Sequence, residues 1–137
     1  MSEYRIRWIP DWFPWKRAIT IWLPFTRFPW MCIPASRKTD PLRLERTKAH
    51  EIVHVDQWVR WGKWEFLRRN FSERRLGLEA EAFAGSCAWW FERGYTNVDS
   101  GGVLVPVLDH YAGILHDYYG LDVSTAVCKA AISGHLI

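Results

Sequence analysis

No pair of cysteines in this sequence is spaced as CxxC. There are three in all, Cys32, Cys87 and Cys128, an odd number set far apart. Thiolates are therefore poor candidates for holding a metal. The three are expected to be reduced, mostly buried thiols, as suits a reducing compartment. A long apolar run is missing as well. The most apolar stretch, Ile19 to Pro34, is interrupted by Pro24, Arg27 and Pro29, so no transmembrane segment is expected, although its aromatic residues leave peripheral attachment open. A signal peptide is not expected either, because Glu3, Arg5 and Arg7 precede any apolar segment. A strongly basic face is also lacking. Net charge is only +3, and the basic residues are spread out, with short clusters at Arg68-Arg69 and Arg74-Arg75, so nucleic acid is not an expected partner. Repeats and low-complexity segments do not occur.

What is abundant is tryptophan, with 10 residues among 137. Trp8, Trp12, Trp15, Trp30, Trp58, Trp61 and Trp64 sit near Arg, Lys or Pro. Half-buried indoles in such places either fill out a thin core or offer an apolar face to a peptide or protein partner. The length fits a single domain, β-rich over residues 1–36 and mainly helical over 40–137.

Two hydrophobic patterns divide the chain. Tyr4-Arg5-Ile6-Arg7-Trp8 and Ala18-Ile19-Thr20-Ile21-Trp22 alternate with period two, and Asp11-Trp12-Phe13-Pro14 lies between them. This predicts a hairpin with a wide loop, joined by Phe28 to Ile33 as a third, edge strand whose neighbouring prolines cannot donate to a ladder. From Asp40 the pattern becomes helical. Asp40 is a good N-cap and Pro41 suits the first turn. Leu42 to Trp61 contains no Gly or Pro, and Ile52, Val55 and Val59 recur at helical spacing before Gly62. Shorter helices are expected over Lys63 to Asn70, about Leu78 to Arg93 (closed by Gly94), about Leu104 to Tyr119 and Ser124 to Ser133, with a loop from Tyr95 to Gly102. The expected class is α+β, a small antiparallel sheet packed on a helical core.

The chemically informative string is His50-Glu51-Ile52-Val53-His54, an HExxH on the strongest predicted helix. Residues i and i+4 lie one turn apart on one face, so two imidazoles converge on a single cation. Zinc takes imidazole nitrogen at about 2.0–2.1 Å, and the intervening glutamate can act as a general base without itself ligating. A catalytic zinc needs a third protein ligand and one open position. Glu79 and Glu81, in Leu78-Glu79-Ala80-Glu81-Ala82, are the candidates. They stand in an apolar, small-residue helix, where a carboxylate is costly to bury without a partner. Gln57 falls on the histidine face, three residues past His54, and can serve as a hydrogen-bonding support for a ligand or as an alternative polar group there. Arg46 shares that face, and Asp56 lies away from it. For an oxyanion donor the chain offers His110 and Tyr111, and further on His116-Asp117-Tyr118-Tyr119, with His110 or Tyr111 the first choice.

The run from His50 to Trp58, then Trp64-Glu65-Phe66-Leu67, then Leu78 to Ala82 resembles the gluzincin arrangement of zinc metallopeptidases, in particular minimal zincin-like domains of bacteria and phages. The resemblance covers about Asp40 to Ala84. It implies one zinc ion on His50, His54 and Glu79, with Glu81 in reserve, and a hydrolase that cleaves peptide bonds with a zinc-activated water and Glu51 as base. Together with the cysteines and the expected lack of a signal peptide, it points to a cytoplasmic or virion-associated setting. In the family pattern the ligand Glu stands four residues before an Asp that orients the first histidine. Here Phe83 occupies that place, so support for His50 must come from elsewhere. The alternative implied by the small size, the missing Asp and the many Trp residues is a zincin-like structural or binding component of a phage or secretion particle, with weak or no catalysis.

Overall fold

The structure is a computed structural model describing residues 4–14, 17–21, 27–70, 74–118 and 122–136. The sequence features at Glu3, Trp15, Trp22, Pro24 and Tyr119 lie outside them. It is an α+β protein, and the chain divides into two compact units, Met1–Arg68 and Arg69–Ile137. Among the described residues no helix is long and apolar enough to cross a membrane.

The first unit begins with three strands, β1 (Arg5–Ile9), β2 (Ile19–Ile21) and β3 (Trp30–Pro34). Their order is β1-β3-β2: β1 runs parallel to β3, and β2 antiparallel to it. The expected β1–β2 hairpin with β3 at the edge is therefore corrected to a mixed sheet with β3 in the centre. Burial supplies the reason. Met31, Cys32, Ile33 and Pro34 are all buried, while β1 exposes Arg5 and Arg7, and the strand apolar on both faces takes the middle. Period-two alternation puts Ile6, Trp8, Met31 and Ile33 on the inner face, where they form one apolar cluster with Val55, Leu44 and Ile52.

A 3-10 turn, Ala35–Thr39, leads into helix α1 (Pro41–Trp61). As expected, Asp40 caps it: its Oδ1 accepts from the Arg43 N–H at 3.2 Å. The helix stops at Gly62, whose φ of 82° suits a residue without Cβ. There the chain turns into α2 (Lys63–Asn70), so both helices match the predicted bounds.

The second unit holds α3 (Arg75–Glu92), a hairpin of β4 (Asn97–Ser100) and β5 (Val103–Pro106), α4 (Val107–Tyr118) and α5 (Thr125–Gly134). α3 ends in a Schellman pair, with Tyr95 N–H donating to the Trp90 carbonyl at 3.1 Å and Gly94 N–H to that of Phe91 at 3.0 Å. The expected loop over Tyr95–Gly102, and a helix starting at Leu104, give way to the β4–β5 hairpin. Gly101 and Gly102 both have positive φ, 63° and 86°, the requirement of a tight two-residue turn. Asp99 Oδ1 accepts from the Gly102 N–H at 2.8 Å and closes it. Ala80, Phe83, Ala84 and Cys87 of α3 pack with Val98, Val107, Tyr111, Ala112, Leu115, Cys128 and Ile132 to form this unit's core.

Candidate metal centre

Helix α1 buries two adjacent stripes. Glu51 and Val55 lie on the stripe that meets the sheet, and His50, His54 and Gln57 lie on the next one; all five are buried. The i, i+4 spacing stacks the imidazoles of His50 and His54 with ring centroids 5.1 Å apart and planes at 75°. Each offers a ring nitrogen within 4.8 Å of the other's.

His54 is held by a hydrogen bond within its own helix. Its Nδ1 lies 2.8 Å from Oε1 of Gln57, which is wholly buried. A carbonyl oxygen only accepts, so Nδ1–H is the donor and Nε2 carries the ring's lone pair. Phe66 of α2 meets the same ring edge-on at 6.1 Å and stacks on Trp58, with centroids 6.5 Å apart and planes at 17°. The imidazole is thus fixed in tautomer by Gln57 and in orientation by packing. Gln57 has the supporting role that its spacing allowed.

Glu51 is 4% exposed. Its Oε2 accepts a 2.7 Å hydrogen bond from the Thr20 hydroxyl of β2, whose oxygen is also 3.4 Å from the Glu51 carbonyl. A hydroxyl has one proton, and the short carboxylate contact takes it. Two neighbours feel this carboxylate. Burial raises the Cys32 thiol pKa, with Arg7 opposing and Glu51 adding to the rise. Burial lowers the pKa of the Arg37 guanidinium, assisted by Arg43, while Glu51 works the other way. Arg37 also donates to Thr47 Oγ1 at 2.7 Å. Thr20 is the functional candidate that sequence reading missed. Its signal was a lone hydroxyl between Ile19 and Ile21 in an alternating strand, at a position in register with Met31 on the inner face.

In the second unit, Glu79 and Glu81 are separated by burial: Glu79 is 5% exposed, whereas Glu81 is half-buried. Phe83, where the gluzincin pattern has an Asp, is a core residue packed on Tyr111 with ring centroids 5.5 Å apart. Tyr111 itself is buried, and its hydroxyl accepts from Trp90 Nε1 at 3.0 Å. His110 is half-buried, with its ring centroid 4.9 Å from that of Tyr111. His116 Nδ1 pairs with the exposed Asp117 at 2.8 Å. Arg46 is half-buried and Asp56 exposed, the latter as its place off the histidine face predicts. Two imidazoles and a carboxylate are a donor set that zinc accepts readily.

No protein-family model, curated protein or solved structure matches the chain.

Proposed function

We propose that the chain is a zinc-dependent metallopeptidase in which His50, His54 and Glu79 hold one zinc ion and Glu51 is the general base. One observation carries this reading: in a buried HExxH, the Nδ1–H of His54 is committed to a fully buried Gln57, which makes Nε2 the ligating atom. Glu79 enters as third ligand from the sequence pattern, and its burial, against the half exposure of Glu81, supports that choice.

Bound there, zinc would act as a Lewis acid toward a carbonyl oxygen and bring the pKa of a coordinated water towards about 7. The residues do the rest. Glu51 accepts a proton from the attacking water as its oxygen bonds to the peptide carbonyl carbon, then returns that proton to the amine as the C–N bond breaks. His110 and Tyr111 are the proposed donors to the developing oxyanion. β2 stands at an edge of its sheet and contacts the base through Thr20, so its outer edge is where an extended substrate would pair by main-chain hydrogen bonds. The exposed Trp12 and Trp64, 81% and 68% accessible, supply apolar surface for a peptide or protein partner.

A second reading, a zincin-like structural component of a particle, is favoured by Phe83. Its burial in the core leaves the position of the His50-orienting Asp filled by an apolar ring. Elemental analysis and a peptide library decide between the two. Wild type should contain one zinc, and His54→Ala none. Glu51→Gln should keep the zinc while chelator-sensitive cleavage falls by about 10²–10⁴-fold. Normal cleavage by Glu51→Gln overturns the peptidase mechanism. Zinc without any cleavage selects the structural component.

A further inference from the structure

We propose that Thr20 is the positioning residue of the base: its hydroxyl anchors Oε2 of Glu51 and thereby presents Oε1 for proton transfer. The inference rests on Glu51 being the base and adds the residue that aims it.

The inner face of the sheet is apolar. In register with Thr20 stands Met31, fully buried, and Ile6 pairs with Met31 from the other side. A hydroxyl on that face is costly unless it is hydrogen-bonded. Thr20 is 6% exposed, and its short bond is to Glu51, 31 residues away and itself 4% exposed. Valine has the same shape and would fill the site without this cost, so the hydroxyl is explained by what it holds. The torsion at the end of a glutamate side chain is broad, with no sharp rotamer wells. Packing alone leaves the carboxylate plane soft, and one charge-assisted hydrogen bond to an oxygen fixes it. The donor comes from a β-strand rather than from the helix that carries Glu51, so the carboxylate is held against two elements of the same unit. Threonine, branched at Cβ, is itself restricted at χ1, which makes it a stiffer anchor than a long polar side chain.

The chain offers two readouts. The first uses metal-free protein and measures whether the contact exists in solution. Urea unfolding midpoints of wild type, Thr20→Val, Glu51→Ala and the double variant should show coupling, the double variant losing less than the sum of the two single losses. The second uses zinc-loaded protein on a cleaved peptide. Thr20→Val should lower kcat by about 10–100-fold with KM and zinc content unchanged, as expected when a reacting group is misaimed. Thr20→Ser, which keeps the hydroxyl, should restore most of kcat. Additive midpoints overturn the inference. So does a Thr20→Val enzyme of normal kcat when Glu51→Gln is inactive, and that result leaves the peptidase reading intact. A kcat loss in Thr20→Val that Thr20→Ser shares to the same extent overturns it too, since methyl packing would then be responsible. A wild-type protein that binds zinc but cleaves nothing overturns both readings together.

Discussion

A fully buried glutamine is an expensive residue to keep. Its amide carries one acceptor and two donors, and each group left without a partner away from water costs on the order of 1–3 kcal/mol. Gln57 is 0% exposed and spends its carbonyl on His54 Nδ1 at 2.8 Å. If that bond sets the tautomer of a zinc ligand, removing it should be felt at the metal before it is felt in the fold. Gln57→Leu, of similar volume, is expected to weaken zinc binding by about 10–100-fold in a competition titration against a chelator. Asp56→Asn, one residue away and exposed, should leave affinity unchanged. Equal zinc affinity in Gln57→Leu and wild type would reduce Gln57 to a core residue. Among single residues, the site was legible wherever spacing alone decides the face. His50, His54, Glu51 and Gln57 follow from the helical period, and Asp56 follows as the exposed exception. Thr20 was not legible, because its partner is 31 residues away and strand period says which face a hydroxyl occupies but not what waits there.

Helices and strands differ in how much of them a sequence carries. α1 was readable to the residue, since Asp40, Pro41 and Gly62 punctuate it with local chemistry. The sheet was not, since strand order depends on pairings that no local signal encodes. Tyr4–Trp8 and Ala18–Ile21 alternate in the manner of hairpin partners, yet each pairs with the more apolar β3. The Gly101-Gly102 pair between Val98 and Val103 was a hairpin signal in plain view, masked by the helical look of the residues after Leu104. α3 carries a testable consequence of its own small-residue packing. Ala80, Ala84 and Cys87 occupy its core stripe, and burial pushes the Cys87 thiol from 9.0 up to about 12. The fold accepts this group only as the neutral thiol. Its contribution to stability is therefore complete below about pH 9 and is lost as pH rises towards 12. Urea midpoints should fall across that window, and fall less steeply in Cys87→Ala. At pH 8 the native protein should show no reaction of Cys87 with a thiol-specific disulfide reagent, whereas in urea all three cysteines should react.

Among the described residues each unit has its own apolar cluster. The second unit's core includes Phe83, Val107, Leu115 and Ile132. The apolar cluster of the first unit is built on Met31, Ile33 and Val55. That first unit nevertheless carries the buried polar groups His50, Glu51, His54, Gln57 and Thr20, each of which gives less net stability than an apolar side chain of equal size. A ligand that binds only the folded state adds RT ln(1 + [L]/Kd), about 4 kcal/mol at a thousandfold excess over Kd. An ion on His50 and His54 would therefore add stability to the unit that holds these buried polar groups. Amide exchange tests this in one experiment. Chelation should raise exchange in α1 from His50 to Trp58, while α4 around Leu115, which bears no proposed zinc ligand, keeps its protection and serves as the internal reference. His54→Ala should exchange like the chelated wild type, with or without added zinc. If α1 is equally protected in every sample, the two histidines contribute to the helix only as buried rings, and metal has no part in holding the fold.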